Sequence, residues 1–356
     1  MDISHSAMPI KNRNHSLDIF RIVSVFVIFL FHSEMHLSCN YYIFENFVKM
    51  GAIFMTAFFM LSGVVLSISC KDCDFNGGSI RKFLLKRAVR IMPIYLILKI
   101  PASIVYLKSD IVEYITFLPV ETLGIQSFFS SLFNVSHVGG SWFVSCLLFC
   151  YFSFPLLHSL ICGMSVRGRA ALISLLVFIL LWSPFVVHVF HVNSIYDNPI
   201  FRMMEFFIGV ILVSLAKDGI FNRGIFTSNL SLLVEIAALV LLVSIVYSIS
   251  GIRNYMLYSW ISLPIFMLLT VYCLHSKLSF KGFSSKVINY LCEISYVFFL
   301  VQYSAWIITR FIAKNLSISS NIALIATSTI VCLAVSAAVH EMLEKPAVNF
   351  LKKRLL

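Results

Sequence analysis

Asp18-Ile-Phe-Arg21-Ile-Val-Ser-Val-Phe-Val-Ile-Phe-Leu-Phe-His32 is an apolar run that carries two groups hydrocarbon disfavours, a guanidinium and an imidazole, behind an aspartate. Charged and titratable side chains inside a membrane span are costly, so each needs a reason to be there. Arg21 and His32 are eleven residues apart. On an α-helix, eleven steps of about 100° return to nearly the same face, and a rise of about 1.5 Å per residue separates them by roughly 16 Å. One stripe of one helix then carries a cation low and an imidazole high.

The rest of the chain agrees with a membrane setting. Hydrophobic residues make up 60% of the 356 and charged residues 12%, with a mean hydropathy of +0.93. A soluble domain carries about 25% charged residues. The expected fold class is all-α: a polytopic transmembrane helix bundle of about ten spanning helices in a single domain over 1–356. The spans are expected near 17–37, 48–69, 89–107, 141–161, 170–191, 199–216, 230–249, 255–274, 288–312 and 320–343, since runs of about 20 apolar residues are the signature of spanning helices. The first run is too long for a cleaved signal peptide and reads as a retained helix.

Most of the 27 Lys and Arg fall at the two termini and in alternate loops, above all Arg81, Lys82, Lys86, Arg87 and Arg90 after the second run. The positive-inside rule then places both termini in the cytoplasm. The charge of +11 is spread over these loops, which argues against nucleic acid as partner. The connection over 109–140 holds Asp110, Glu113 and Glu121 but no Lys or Arg. It is rich in apolar residues, so it is expected either in the interface or folded back into the bundle. Of nine cysteines most lie in apolar runs, where Cys acts as a small hydrophobe. Cys70-x-x-Cys73 has no second pair or nearby His, so no metal is expected.

Several constellations could carry chemistry. His32 could be a general base, since imidazole titrates near neutrality, or a packing histidine. Arg21 could bind an anion or pair with Asp18. Arg87 and Arg90, at i,i+3, share a face at the mouth of the third span; Arg forks suit phosphates, while positive-inside topology also explains the run. Phe58-Phe-Met-Leu-Ser62-Gly63 suggests close helix packing. Trp142 opens the fourth span as an interfacial anchor. Arg202 and Glu205 pair opposite charges at i,i+3. Glu344-Lys345-Pro346 reads as a helix stop with an ion pair. No phosphate-binding Gly-rich loop, serine nucleophile elbow or zinc-protease motif occurs.

In order, these pieces resemble the integral-membrane acyltransferase 3 family, whose members mostly O-acetylate cell-surface sugars. The matching residues are Arg21-x10-His32, Phe58-Phe-Met-Leu-Ser-Gly63, Arg87-Ala-Val-Arg90 with Pro93 and Tyr95, Trp142-Phe143 with Tyr151 and Pro155, Arg202-x-x-Glu205-Phe with Gly209, Ile294-Ser-Tyr296, and Glu344-Lys-Pro346. They run from about residue 16 to the C-terminus. Relatives often carry a His after the Ser-Tyr motif, where this chain has Gln302, and some append an SGNH-type domain that this chain is expected to lack.

The resemblance implies a bacterial inner-membrane, multi-pass O-acetyltransferase. Its donor substrate would be cytoplasmic acetyl-CoA, with phosphates at Arg87 and Arg90. Arg21 would bind a donor phosphate or stabilise charge on the thioester, and His32 would deprotonate a sugar hydroxyl or carry the acetyl group. The acceptor would be a polysaccharide or its lipid-linked precursor, such as an O-antigen-like glycan of lipopolysaccharide, met by Trp142, Arg202 and Glu205. Membrane lipids would be its other partners, and a homo-oligomer is left open. Two other classes compete: a transporter or flippase of lipid-linked glycan, and a non-catalytic member of an assembly complex. Neither needs phosphate-binding arginines aligned with one intramembrane imidazole.

Overall fold

The computed structural model describes residues 13–70, 73, 75–106, 111–129, 140–190, 195–221, 229–250, 260–276 and 278–356. Among them there is no strand. The helices are α1 His15–Leu37, α2 Glu45–Lys49, α3 Phe54–Ser69, α4 Gly77–Tyr106, α5 Ile111–Leu123, α6 Ser141–Gly163, α7 Val166–Phe190, α8 Pro199–Lys217, α9 Asn229–Ser250, α10 Leu263–His275, α11 Gly282–Asn315, α12 Asn321–Val339 and α13 Lys345–Leu355. Among the described residues eight helical segments are long and apolar enough to cross a membrane, so this is a multi-pass membrane protein.

Two of the ten expected spans are not among those eight. The third falls on α4, Gly77–Tyr106, of whose residues 100–106 the side chains lie outside the described residues. The eighth is represented by the 13-residue α10, because the start of its expected range lies outside the described residues. The expected stop at Glu344–Pro346 is corrected as well. The backbone continues from α12 through a π-helical turn, His340–Glu344, into α13. Pro346 lies in the first turn of α13, directly after the π-helical turn, where the regular hydrogen-bond pattern is already interrupted. Lys345 pairs with Glu341 at 2.6 Å, one helical turn back, rather than with its neighbour Glu344.

The bundle is organised around α3. Of the apolar window of Gly51–Ser69, the segment that ends in α3, 89% is buried, against 28% for α7 and 17% for α9. A helix apolar on every side is stable only where every side meets protein or lipid, and α3 meets protein. Its closest partner is α8. The two backbones touch through reciprocal glycines. A Cβ on Gly63 would overlap Phe206 O and lie 2.9 Å from its carbonyl carbon; one on Gly209 would overlap Met60 O and lie 3.0 Å from its carbon. Helices in lipid gain packing by such close approach. By contrast α7 and α9 turn large side chains such as Leu175, Phe178, Leu230 and Leu233 outward, as a lipid-facing surface requires.

The connection after α4 folds back into the bundle. Lys99 on α4 pairs with Glu121 on α5 at 3.1 Å, both nearly inaccessible. Gln126 Nε2 donates to Ser141 O (2.8 Å) and Ser127 Oγ to Trp142 O (2.9 Å), so the segment is fastened to the start of α6.

Candidate functional site

The stripe of Arg21 and His32 lies on α1, whose start is fixed by Asn14. The Asn14 side chain accepts from Ser16 N and Leu17 N, satisfying two of the otherwise orphaned amides of the first turn. Its own amide donates to Cys273 O on α10 at 2.8 Å, which sets the position of the helix against the bundle. From there α1 packs along α11. The stripe faces that seam at both ends. Cys292 of α11 lies within electrostatic range of Arg21, and Gln302 of α11 meets His32.

His32 is half-buried. Its Nδ1 lies 2.8 Å from Gln302 Oε1. An amide oxygen can only accept, so this contact places the proton on Nδ1 and leaves Nε2 with a free lone pair. Nε2 is the nitrogen that could take a proton from a hydroxyl. Two aromatic groups fix the ring further. Trp306, one turn beyond Gln302, meets His32 edge-on with centroids 5.6 Å apart. His36, one turn beyond His32, stacks on Trp306 at 4.8 Å. Arg310 Nη2 donates to His36 O at 2.5 Å, closing this end of α1 onto α11.

Arg21 does not use the partner offered by its neighbour. Asp18 binds Arg13 at 2.6 Å and accepts from Cys292 Sγ at 3.2 Å. Among the described residues no carboxylate lies within ion-pair distance of Arg21, whose guanidinium sits over the Phe58 ring at 5.1 Å. An intramembrane cation without a counter-ion is a site for an anion or for developing negative charge.

The two arginines of α4 differ. Arg87 is half-buried and turned toward the bundle, with Phe83 and Tyr151 rings 5.4 and 5.6 Å from its guanidinium carbon. Its buried Nε has no hydrogen-bond partner. Arg90 is exposed. Their i,i+3 spacing therefore does not make them one fork; Arg87 points inward and Arg90 outward.

Trp142, Arg202 and Glu205 are brought together. Arg202 and Glu205 are fully buried and joined Nη1 to Oε1 at 2.8 Å and to Oε2 at 3.0 Å. Glu205 also accepts from Thr56 Oγ1 (2.7 Å) and from Trp260 Nε1. Arg202 Nε donates to Tyr196 O at 2.6 Å, and its guanidinium lies among Phe59, Trp142, Tyr196 and Trp260, with Tyr196 nearest at 4.4 Å. This is a desolvated knot tying α8 to α3 and α6. Among the described residues Arg202 Nη2 finds no partner.

Sequence reading missed three members of the His32 neighbourhood. Gln302 figured there as the loss of a titratable group, not as the residue that holds the imidazole. Trp306 and His36 were not singled out, although i,i+4 spacing from Gln302 and His32 puts each on the same face. Among the described residues no group of three His, Cys, Asp or Glu is placed to hold a metal ion.

A model of the Acyltransferase domain family matches residues 14–341 of the chain. The acyltransferase MdmB of Streptomyces mycarofaciens is 23% identical over 349 residues, covering 87% of this chain and 84% of that protein. No solved structure matches. The matched span takes in the α1–α11 seam, the α4 arginines and the Arg202–Glu205 knot, and the chain belongs to the acyltransferase 3 family.

Proposed function

We propose that this membrane acyltransferase moves an acetyl group from cytoplasmic acetyl-CoA to a sugar hydroxyl of a cell-surface polysaccharide or its lipid-linked precursor, an O-antigen-like glycan, in a bacterial inner membrane. The observation that carries the reading is His32: an intramembrane imidazole held by Gln302 through Nδ1, on the same stripe as a cation with no carboxylate within ion-pair distance among the described residues.

In this mechanism Arg87, with Arg90 at the surface, meets the phosphates of CoA at the cytoplasmic end. The pantetheine arm carries the thioester along the α1–α11 seam. Arg21 attracts a donor phosphate or the charge that builds on the thioester. His32 Nε2 takes the proton of the acceptor hydroxyl as its oxygen attacks the carbonyl carbon, and returns a proton to the departing thiolate. Trp142, Arg202 and Glu205 stand at the acceptor's end of the bundle. There the charges satisfy each other, and Arg202 Nη2 is the donor left for a glycan hydroxyl.

The test uses inverted membrane vesicles from the host strain, which present the catalytic chain, the native glycan and its cytoplasmic face to added radiolabelled acetyl-CoA. Label should enter the glycan with stoichiometric release of free CoA. His32→Ala should abolish both while the protein accumulates in the membrane at the normal level. Glycan translocation without consumption of acetyl-CoA would favour the flippase reading instead.

A further inference from the structure

The geometry points to an oxyanion hole made by Gln302 Nε2 and Trp306 Nε1 beside His32, a role that rests on the acyl-transfer reading above. Both nitrogens are buried and neither has a hydrogen-bond partner. Their residues are 2% and 3% exposed, so bulk water does not replace the missing acceptors. Buried N–H groups are almost always paired, and one that is not calls for an explanation. Here two occur one helical turn apart on α11, hence on one face, and both border the same imidazole. Gln302 binds His32 directly, and the Trp306 ring meets it edge-on at 5.6 Å.

Packing alone does not account for them. The Trp306 ring stacks on His36 and on Phe29, contacts that a phenylalanine could make without an indole N–H. Gln302 uses its oxygen on His32, and an amide is not needed for that; any acceptor would do. What remains after packing and ring-holding are two N–H donors with nothing to donate to. The species in an acyl transfer that wants two such donors is the carbonyl oxygen as it becomes negative. When the acceptor hydroxyl attacks, the C–O bond forms, the hydroxyl proton goes to His32 Nε2 and the carbonyl π pair moves onto oxygen. Collapse restores the carbonyl, breaks the C–S bond and hands the proton to the CoA sulfur. Donors held in advance beside the imidazole favour the transition state over the neutral thioester.

Two variants separate the hole from other roles. Trp306→Phe keeps the ring and its stacking but removes the N–H. Gln302→Glu keeps an oxygen for Nδ1–H and replaces the NH2. In the vesicle assay each should lower the rate at saturating acetyl-CoA by about 10²–10³-fold. KM for acetyl-CoA should stay within about twofold, as expected when only transition-state contacts are lost. The pH–rate profile of Trp306→Phe should keep the wild-type midpoint, because the His32–Gln302 contact survives. That of Gln302→Glu should shift upward, since a carboxylate beside an imidazole favours its charged form. Amounts are normalised by membrane content and elution as a single species. If His32→Ala is inactive while both variants run at the wild-type rate, the hole is wrong and the His32 reading stands. If the loss lies in KM with the saturated rate unchanged, the hole is also wrong. If His32→Ala runs normally, both fail.

Discussion

Gly209→Ala should unfasten the centre of the bundle. The added Cβ would overlap Met60 O and lie 3.0 Å from Met60 C and 3.1 Å from Val64 N, all backbone atoms of α3 that no rotamer change can move aside. Carbon atoms rest at about 3.5–4.0 Å, so α3 and α8 must separate by roughly 0.5–1 Å, and a gap of that size forfeits about a quarter to a half of each facing contact. Overpacking of this kind costs about 1–3 kcal/mol. The same separation stretches the 2.7 Å bond from Thr56 to Glu205, which crosses this seam. A hydrogen bond to a charged group contributes about 1.5–3 kcal/mol, so the total is about 2.5–6 kcal/mol. For a chain of this size the drop in Tm is about 3–8 °C. The assay is thermal unfolding in detergent or nanodiscs, read by loss of the monodisperse peak, beside Gly163→Ala. A Cβ at Gly163 meets nothing within 4 Å, so that variant should melt like the wild type. Equal melting of Gly209→Ala and Gly163→Ala would refute the argument that backbone contact between α3 and α8 organises the fold.

Four further outcomes are expected. Glu205→Ala should cost about 3–5 kcal/mol by leaving the buried Arg202 charge uncompensated, and the double variant with Arg202→Met should recover much of it in the same melting assay. Arg87→Ala should weaken binding of acetyl-CoA to the purified protein, measured by calorimetry, by about tenfold or more, since hydrogen bonds to a charged group contribute about 1.5–3 kcal/mol; Arg90→Ala should have the smaller effect, because its side chain is exposed. Burial raises the Asp197 carboxyl to about 6, only partly offset by its backbone hydrogen bond and Arg202. A raised carboxylate pKa means that the folded state favours the protonated acid: the stabilisation is complete below the unfolded value near 3.9 and lost as pH rises through about 6. Melting temperature should therefore decline over that window, and Asp197→Asn should flatten the decline.

The helical, membrane-spanning character was legible in composition, because 60% hydrophobic residues in long runs allow no other way of satisfying the backbone. The Arg21–His32 stripe was legible too, since helical periodicity is local, and so was the Arg202–Glu205 pair at i,i+3. Three readings needed the tertiary structure. Arg21 was open to an anion or to Asp18 as its partner, and Arg13 takes Asp18 from outside the helix. Arg87 and Arg90 looked like a fork, but α6 packs against only one side of α4, so Tyr151 covers Arg87 and Arg90 stays outside. Glu344-Lys-Pro looked like a stop, but a π turn with His340 bonded to Glu344 lets the helix run on.

By itself, then, the sequence determined the apolar run, the polar stripe and the order of motifs of each helix, all properties of residues within a few turns of each other. Which stripe meets which was decided by the tertiary structure. Gln302 lies 270 positions from His32, and no periodicity relates them. Their contact exists because α1 lies along α11 while its other side meets α3, which glycines 63 and 209 let touch α8 backbone to backbone. The imidazole was visible in one helix; the groups that orient it and the two unpartnered donors beside it come from another.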